Sequence, residues 1–173
     1  GFMIALAIEK WHLHKRLALN IIRMTGSNKS RVILGFMLAT AFLSMWISNT
    51  ATSIMILPVG LAIISQLKDD PKTKENENKT FGKSLMIAIA YSASIGGMAT
   101  LIGTPPNMVL AGVVEESYGI KLNMFDWMKF GVPLSSFLLM ICWIYLTKIA
   151  FKFQDEEFSA GRDEIMRQLK KLG

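Results

Sequence analysis

Residues 45–60 read MWISNTATSIMILPVG, and they set six small, mostly polar residues, 48–53, inside a stretch that otherwise has the composition of a membrane span. The apolar stretch around this polar centre extends over residues 32–67 without a charged side chain. That length exceeds the ~20 residues that one helical span needs. The pattern therefore predicts either one over-long span or a hairpin whose two short arms, 32–47 and 54–67, meet at the polar residues.

The composition indicates an integral membrane protein. Of the 173 residues, 51% are hydrophobic and 18% are charged, whereas a soluble domain carries about a quarter charged residues. Two further stretches, 84–114 and 130–147, also lack charge, and apolar stretches of ~18 or more residues mark membrane spans. The net charge of +6 resides between these stretches. Lipid headgroups explain the basic residues there better than nucleic acid does.

The distribution of lysine and arginine distinguishes the two readings of residues 32–67. Six basic residues lie in 9–31, five in 68–83 and six in 148–173, but two in 115–130. A hairpin that enters and leaves by the same face puts seventeen of them on one side and two on the other, whereas a single crossing divides them eight against eleven. Short loops rich in Lys and Arg stay cytoplasmic, so the count favours a re-entrant hairpin. The segments then expected in the cytoplasm are 9–31, 68–83 and 152–173.

A second break interrupts the stretch 84–114. Two adjacent glycines lie near its middle, and Gly103 and the pair Pro105–Pro106 follow. Glycine frees the backbone for non-helical angles and tandem prolines interrupt a continuous helix, so two half-helices joined by an unwound turn, GTPPN, are expected. Irregular backbone at membrane depth persists only when it is buried in protein or lines a cavity. The two breaks are therefore predicted to meet in one site.

The residues at the breaks indicate what such a site would bind. Freed carbonyls, hydroxyls and an Asn amide oxygen suit a desolvated alkali cation, and helix N-termini suit an anion. Thr40, Ser44 and Ser48 recur one turn apart and line one helix face. No Lys, Arg, Asp or Glu lies in an apolar stretch, so sodium coupling is favoured over proton coupling. An enzyme is not expected, because a serine nucleophile would need a nearby base and His12 and His14 lie outside the spans.

Two motifs carry a family resemblance. SNT at 48–50 within MWISNTATSIMILPVG, followed by GGMATLIGTPPN at 96–107, resembles the divalent anion–sodium symporters, the sodium-coupled dicarboxylate and citrate carriers. The resemblance implies an all-α membrane fold in which a re-entrant hairpin and a broken transmembrane helix form one inverted repeat of an elevator-type transporter. It further implies a homodimer when intact, with a second repeat that this chain lacks. The start of the chain, without methionine, suggests an internal piece of a longer protein.

The resemblance also assigns roles to residues. Sodium is the implied coupling ion, with no organic cofactor, and the substrate is a small divalent anion such as a C4-dicarboxylate, citrate or sulfate. The sodium ligands implied are Ser44, Ser48, Asn49, Gly103 and Asn107. The substrate contacts implied are Ser48, Asn49, Thr50, Thr104, Pro105 and Pro106.

The expected organisation follows from these assignments. In a bacterium the protein would be a multi-pass component of the inner, or cell, membrane. A related ion carrier, either a sodium/proton antiporter or an oxyanion exporter, is the alternative that the sequence leaves open. The expected segments are 1–31 (the end of a span and an interfacial helix), 32–67 (the hairpin), 68–83 (a cytoplasmic loop), 84–114 (the broken helix), 115–130 (an exterior loop and interfacial segment), 131–151 (a transmembrane helix) and 152–173 (an amphipathic tail).

Overall fold

The structure is a computed structural model that describes residues 28–68 and 75–151. The extended elements within these ranges are helices: α1 (Lys29–Ser44), α2 (Asn49–Lys68), α3 (Glu75–Gly97), α4 (Pro105–Tyr118) and α5 (Met124–Ile144), which continues into a π-helical turn, Tyr145–Ala150. The all-helical class expected from the sequence is confirmed for this part of the chain. The predicted interfacial helix before residue 28, part of the predicted loop and the predicted tail from residue 152 lie outside the described residues.

The first break is shorter than the polar run that predicted it. Helix α1 ends at Ser44 and α2 begins at Asn49, so the irregular residues are 45–48. Ser48 precedes the helix, and its carbonyl accepts the amide hydrogen of Thr52 at 2.9 Å. Serine is a favoured residue at this capping position. The helix therefore begins directly after Ser48, and the polar residues that follow form its first turn.

The second break lies between Gly97 and Pro105, over residues 98–104. Pro105 and Pro106 take the first positions of α4, after Thr104 at the N-cap. Proline is tolerated there because the N–H groups of the first turn have no partner within the helix. The unwound segment thus starts before the GTPPN sequence, and the two prolines open the second half-helix. At its other end α4 stops at Gly119, whose φ of 67° is the left-handed conformation common after a helix.

Helix α2 runs antiparallel to α3. At the end of α3, the side chain of Asn49 lies against Gly97, and near its start Ile64 lies against Gly82. Between these two contacts, Gly60 adjoins side chains of the middle of α3. The N-terminus of α2 therefore points towards the end of α3 where the second break begins.

Helix α1 runs in the opposite direction to α2. Gly131, near the start of α5, lies against Ala99 just beyond the end of α3. From there, α5 and the π-helical turn that follows it contact α3. Trp143, near the end of α5, donates its indole N–H to the carbonyl of Ser30 at the start of α1. The last residue of α1 is hydrogen-bonded near the end of α3. The helices α1 and α2 thus form an antiparallel pair, whose connecting residues 45–48 lie beside the second break.

The core lies among α1, α2, α3 and α5. Its largest fully buried side chains include Phe36, Phe81 and Ile56, which belong to one apolar cluster together with Leu139 and Leu146. Close packing of such side chains holds the helices together, because each contact in a dense interior adds van der Waals attraction. The two breaks lie at one end of this core, so their geometry depends on how the helices pack.

Helix α4 and the outer face of α5 expose apolar side chains. Asn107 is the buried residue of α4, whereas Val109 is 66% exposed and Val113 is 51% exposed. Within the described residues, Met124–Ala150 is the helix that is long and apolar enough to cross a membrane by length and composition, and Asn49–Ser65 is a shorter apolar helix. These exposed surfaces have the chemistry of groups that face lipid or further protein.

Candidate functional site

Two oxygens of the predicted cation site lie side by side at the connection between α1 and α2. The Ser44 hydroxyl is fully buried; its Oγ lies 2.8 Å from Asn49 Oδ1 and 2.7 Å from the carbonyl oxygen of Ala93. A serine hydroxyl has one proton to donate and two lone pairs. When that proton goes to Ala93, Ser44 Oγ and Asn49 Oδ1 present neighbouring lone pairs. Two hard, neutral oxygens in this arrangement suit a monovalent cation.

The close approach of α2 to α3 depends on a glycine. A Cβ atom placed on Gly97 would overlap Asn49 Oδ1 and would come within 3.1 Å of its Nδ2. Glycine at 97 therefore allows the first side chain of α2 to lie directly on the last turn of α3. Gly103 folds back onto the same residue, because a Cβ there would overlap the carbonyl oxygen of Gly97.

Asn107 holds the second break from the side of α4. Its Nδ2 donates to the carbonyl of Gly97 at 3.1 Å and to that of Thr100 at 2.7 Å. The last carbonyls of a helix lack partners within the helix, and here one buried amide satisfies that of Gly97 together with the carbonyl of Thr100 in the break. Because Gly97 contacts both Asn49 and Asn107, the two helix N-termini meet at this residue. The structure thus brings together the predicted cation ligands Ser44, Asn49, Gly103 and Asn107.

Thr100 links the two breaks directly, and sequence reasoning did not select it. This fully buried residue donates its hydroxyl to the carbonyl of Met45 and accepts the amide hydrogen of Gly103 at 3.0 Å. Its position between the Gly-Gly pair and the GTPPN segment was visible in the sequence. However, nothing in the neighbouring sequence distinguishes this threonine from the other Ser and Thr residues of the apolar stretches. Its partner Met45 is 55 residues away.

The predicted anion contacts surround the two N-termini. Thr50, Pro105 and Pro106 are exposed and Thr104 is half-buried, so a ligand can reach these residues. The prolines have no N–H, and the amide hydrogen of Asn107 is donated to Thr104 at 3.2 Å. The hydrogen-bond donors that α4 offers an anion are therefore those of Thr104, together with the positive end of the helix dipole.

Ser48 is placed differently from the other predicted ligands. It is exposed, and its Oγ lies 3.4 Å from the amide nitrogen of Ala51, within the first turn of α2. This contact is at the long limit of a hydrogen bond. Its hydroxyl therefore remains available on the surface that holds Thr50, rather than beside Ser44.

The electrostatic character of the site is neutral. In residues 28–68 and 75–151, no group of three or more His, Cys, Asp or Glu side chains is arranged to hold a metal ion. The oxygens at the breaks belong to hydroxyls, an amide and the backbone. Such a donor set is matched to a hard cation of low charge, whereas nitrogen and sulfur ligands bind transition metals.

A hairpin connection and a broken helix that meet at neutral oxygens and at helix N-termini resemble the sites of one class of protein, the secondary transporters, in which discontinuous helices build the ion and substrate sites. The chain belongs to the citrate transporter family, which it matches over residues 1–171. The family resemblance read from the two motifs is confirmed. Members of this family are integral membrane transporters rather than enzymes.

Curated relatives extend over the whole chain. The sodium-dependent dicarboxylate transporter SdcS of Staphylococcus saprophyticus is 43% identical over 175 residues, and the protein of the same name from Staphylococcus aureus strain USA300 is 42% identical. Each alignment covers 100% of this chain and 34% of the relative. The chain therefore spans about a third of the length of the curated relatives it matches.

Proposed function

We propose that the full-length protein is a sodium-coupled symporter of small divalent anions, such as C4-dicarboxylates or citrate. The observation that carries this proposal is the meeting of both helix N-termini at Gly97, beside the paired oxygens of Ser44 and Asn49. Oxygens for a cation and N-termini for an anion are thereby adjacent. The names of the relatives, sodium-dependent dicarboxylate transporters, agree with that chemistry.

Sodium is proposed to bind among Ser44, Asn49, Gly103 and Asn107, whereas the exposed hydroxyl of Ser48 is assigned to the anion because it lies on the surface that holds Thr50. The hydroxyl of Ser44 has a second acceptor in Ala93, so it can turn its proton away from Asn49 when a cation arrives. The contacts of Gly103 and Asn107 with Gly97 hold the backbone oxygens of the second break near this pair. Removing the last water from a cation is compensated only where several such oxygens converge.

The anion is proposed to bind on the exposed side, at Ser48, Asn49 and Thr50 of one break and Thr104, Pro105 and Pro106 of the other. Asn49 serves both ligands, because its Oδ1 faces the cation while its Nδ2 donates to a carboxylate. A bound cation at ~6 Å attracts each negative charge by about 3 kcal/mol at an effective dielectric constant of ~20. An attraction of that size corresponds to roughly a hundredfold in affinity, which couples the two binding events.

The placement in the membrane is part of the proposal. The antiparallel pair α1 and α2 corresponds to a re-entrant hairpin with its connection at 45–48 inside the bilayer, and α3 with α4 corresponds to the broken transmembrane helix. A second, inverted repeat in the rest of the protein would complete the site. Homodimerisation and an elevator motion of the transport domain are the features that family membership implies for the whole carrier.

Uptake by proteoliposomes tests the function. The full-length protein is reconstituted, and entry of labelled succinate and labelled citrate is measured with an inward sodium gradient, with choline replacing sodium, and with a protonophore present. We expect uptake that requires sodium and persists with the protonophore. Uptake that is abolished by the protonophore but not by sodium removal would instead identify a proton-coupled ion carrier.

A further inference from the structure

Helix α5 contacts the first two residues of the second break, Met98 and Ala99. The indole N–H of Trp127 donates to the carbonyl of Met98 at 3.0 Å. One turn further along, Gly131 lies so close to Ala99 that a Cβ on the glycine would be 2.7 Å from the carbonyl oxygen of Ala99. Residues four apart share one face of a helix, so Trp127 and Gly131 form a single contact surface against Met98 and Ala99.

This contact surface supplies a hydrogen-bond donor to a carbonyl at the end of α3 that has no partner within the helix. The amide hydrogens of Met98 and Ala99 are bonded to carbonyls three residues back, which tightens the last turn, but the carbonyls after the helix end need other partners. Asn107 satisfies those of Gly97 and Thr100. Trp127 satisfies the carbonyl of Met98, which lies between them.

The geometry points to Trp127 and Gly131 as positioning residues for the proposed sodium site. Neither residue is a predicted ligand, but both contact the residues that lead from Gly97 to Thr100 and Gly103. A binding site for a small ion tolerates displacements of only ~0.5 Å in its ligands. The backbone of the second break therefore keeps its ligand oxygens in place only while α5 holds Met98 and Ala99. This inference rests on the proposed function of the protein.

The same helix offers a matched control. Trp143 is also half-buried, and its indole N–H also donates to a backbone carbonyl, that of Ser30, at 2.9 Å. Its partner lies at the start of α1, at the opposite end of the helix bundle from both breaks. Trp127→Phe and Trp143→Phe therefore remove the same kind of hydrogen bond from the same helix. They differ because the carbonyl that loses its donor belongs to the second break in one variant and to the start of α1 in the other.

The experiment compares these two variants with the wild type in purified full-length protein. Sodium binding is measured from the sodium concentration that gives half of the maximal thermal stabilisation, with potassium keeping the ionic strength constant. Loss of one hydrogen bond weakens binding about five- to tenfold where it sets the ligand geometry. We expect Trp127→Phe to raise the half-saturating sodium concentration by that factor and Trp143→Phe to leave it unchanged, although both lower the melting temperature.

A second variant keeps the test decisive if Trp127→Phe does not fold. Gly131→Ala pushes the added methyl group against the Ala99 backbone, and it is expected to raise the half-saturating sodium concentration as well. Succinate affinity at saturating sodium should remain near the wild-type value in both variants, because neither residue lies among the predicted anion contacts. The inference would be overturned if Trp127→Phe and Gly131→Ala had the half-saturating sodium concentration of the wild type. It would also be overturned if Trp143→Phe raised that concentration as much as Trp127→Phe does. A wild-type protein that is not stabilised by sodium would overturn the proposed function itself.

Discussion

Asn49 is the first residue of α2, contacts α3 and lies beside the last hydroxyl of α1. Its Oδ1 is 2.8 Å from Ser44 Oγ, and its side chain fills the space that the missing side chain of Gly97 leaves open. An amide offers both an acceptor oxygen and two N–H donors, whereas a hydroxyl offers one proton. At the scale of single residues, Asn49 can therefore serve both proposed ligands, whereas Ser44 serves the cation alone.

The first prediction uses that difference. Asn49→Asp keeps an oxygen for sodium but sets a negative charge beside the anion; two like charges ~4 Å apart repel by about 4 kcal/mol at an effective dielectric constant of ~20. We expect Asn49→Asp to lose succinate binding while it retains sodium binding, and Ser44→Ala to weaken sodium binding by roughly tenfold. In uptake assays, high sodium should then restore transport by Ser44→Ala but not by Asn49→Asp. Normal transport by both variants at low sodium would show that these residues only pack.

The second prediction concerns Thr100. Thr100→Val keeps the shape of the side chain but leaves the carbonyl of Met45 and the amide of Gly103 without their partner, and each buried unsatisfied group costs about 1–3 kcal/mol. We expect the variant to lower the free energy of unfolding by ~2–4 kcal/mol, measured by denaturant unfolding of the purified full-length protein. Thr100→Ser retains the hydroxyl and should recover most of the loss. Equal stability of the valine and serine variants would contradict the link between the two breaks.

At the scale of helices, close packing around the end of α3 decides whether the breaks meet. A Cβ on Gly96 would overlap the backbone of Ala41 in α1, so this glycine sets how near α1 approaches α3. Small residues serve this purpose in membrane helices, where backbones approach closely. The hydroxyl of Ser44 reaches the carbonyl of Ala93 across the same contact, which requires that short helix separation.

The third prediction compares two glycines. Gly96→Ala forces α1 and α3 apart, because the obstructing atoms are backbone rather than a flexible side chain. Overpacking of this kind typically costs ~1–3 kcal/mol. In α4, a Cβ on Gly112 meets nothing within 4 Å, and alanine there is expected to be neutral or to stabilise the helix by up to ~1 kcal/mol. Melting temperatures of the two full-length variants give the comparison, and a Gly96→Ala protein as stable as Gly112→Ala would contradict the packing described for α1 and α3.

At the scale of the whole molecule, the direction of the helices and the distribution of charge support the same topology. Helices α1 and α2 are antiparallel, so Arg31 near the start of α1 and the C-terminal end of α2 lie at the same end of the bundle. Basic residues concentrate in 9–31, 68–83 and 148–173, with two in 115–130. Short loops rich in Lys and Arg generally stay cytoplasmic, which agrees with the proposed re-entrant arrangement. Ser117, near the end of α4, belongs to the segment that holds few basic residues.

The fourth prediction tests this topology. Single cysteines replace Arg31, Lys79 or Ser117, all exposed, in a full-length protein without other cysteines. A membrane-impermeant maleimide applied to intact cells is expected to label position 117, whereas positions 31 and 79 should react only after the cells are opened. Labelling of 31 and 79 from opposite sides would exclude the re-entrant arrangement of α1 and α2.

The sequence by itself determined the helical membrane class, the two interruptions and the neutral chemistry at each. Apolar runs without charge mark spans regardless of their partners, and Gly, Pro and small polar residues weaken a helix wherever they cluster. The helix boundaries were less predictable. Helices α2 and α4 start directly after Ser48 and Thr104, so they include the residues that the sequence assigned to the turns.

Only the tertiary structure decided which groups complete the breaks. Thr100 bonds to a carbonyl 55 residues away, and Trp127 bonds to one 29 residues away. A hydroxyl or an indole N–H satisfies any backbone carbonyl within reach, so its partner depends on which helices pack together and in what direction. Local composition does not contain that information. The close contacts of Gly96, Gly97 and Gly131 arise in the same way, because the space a side chain would occupy is filled by a distant part of the chain.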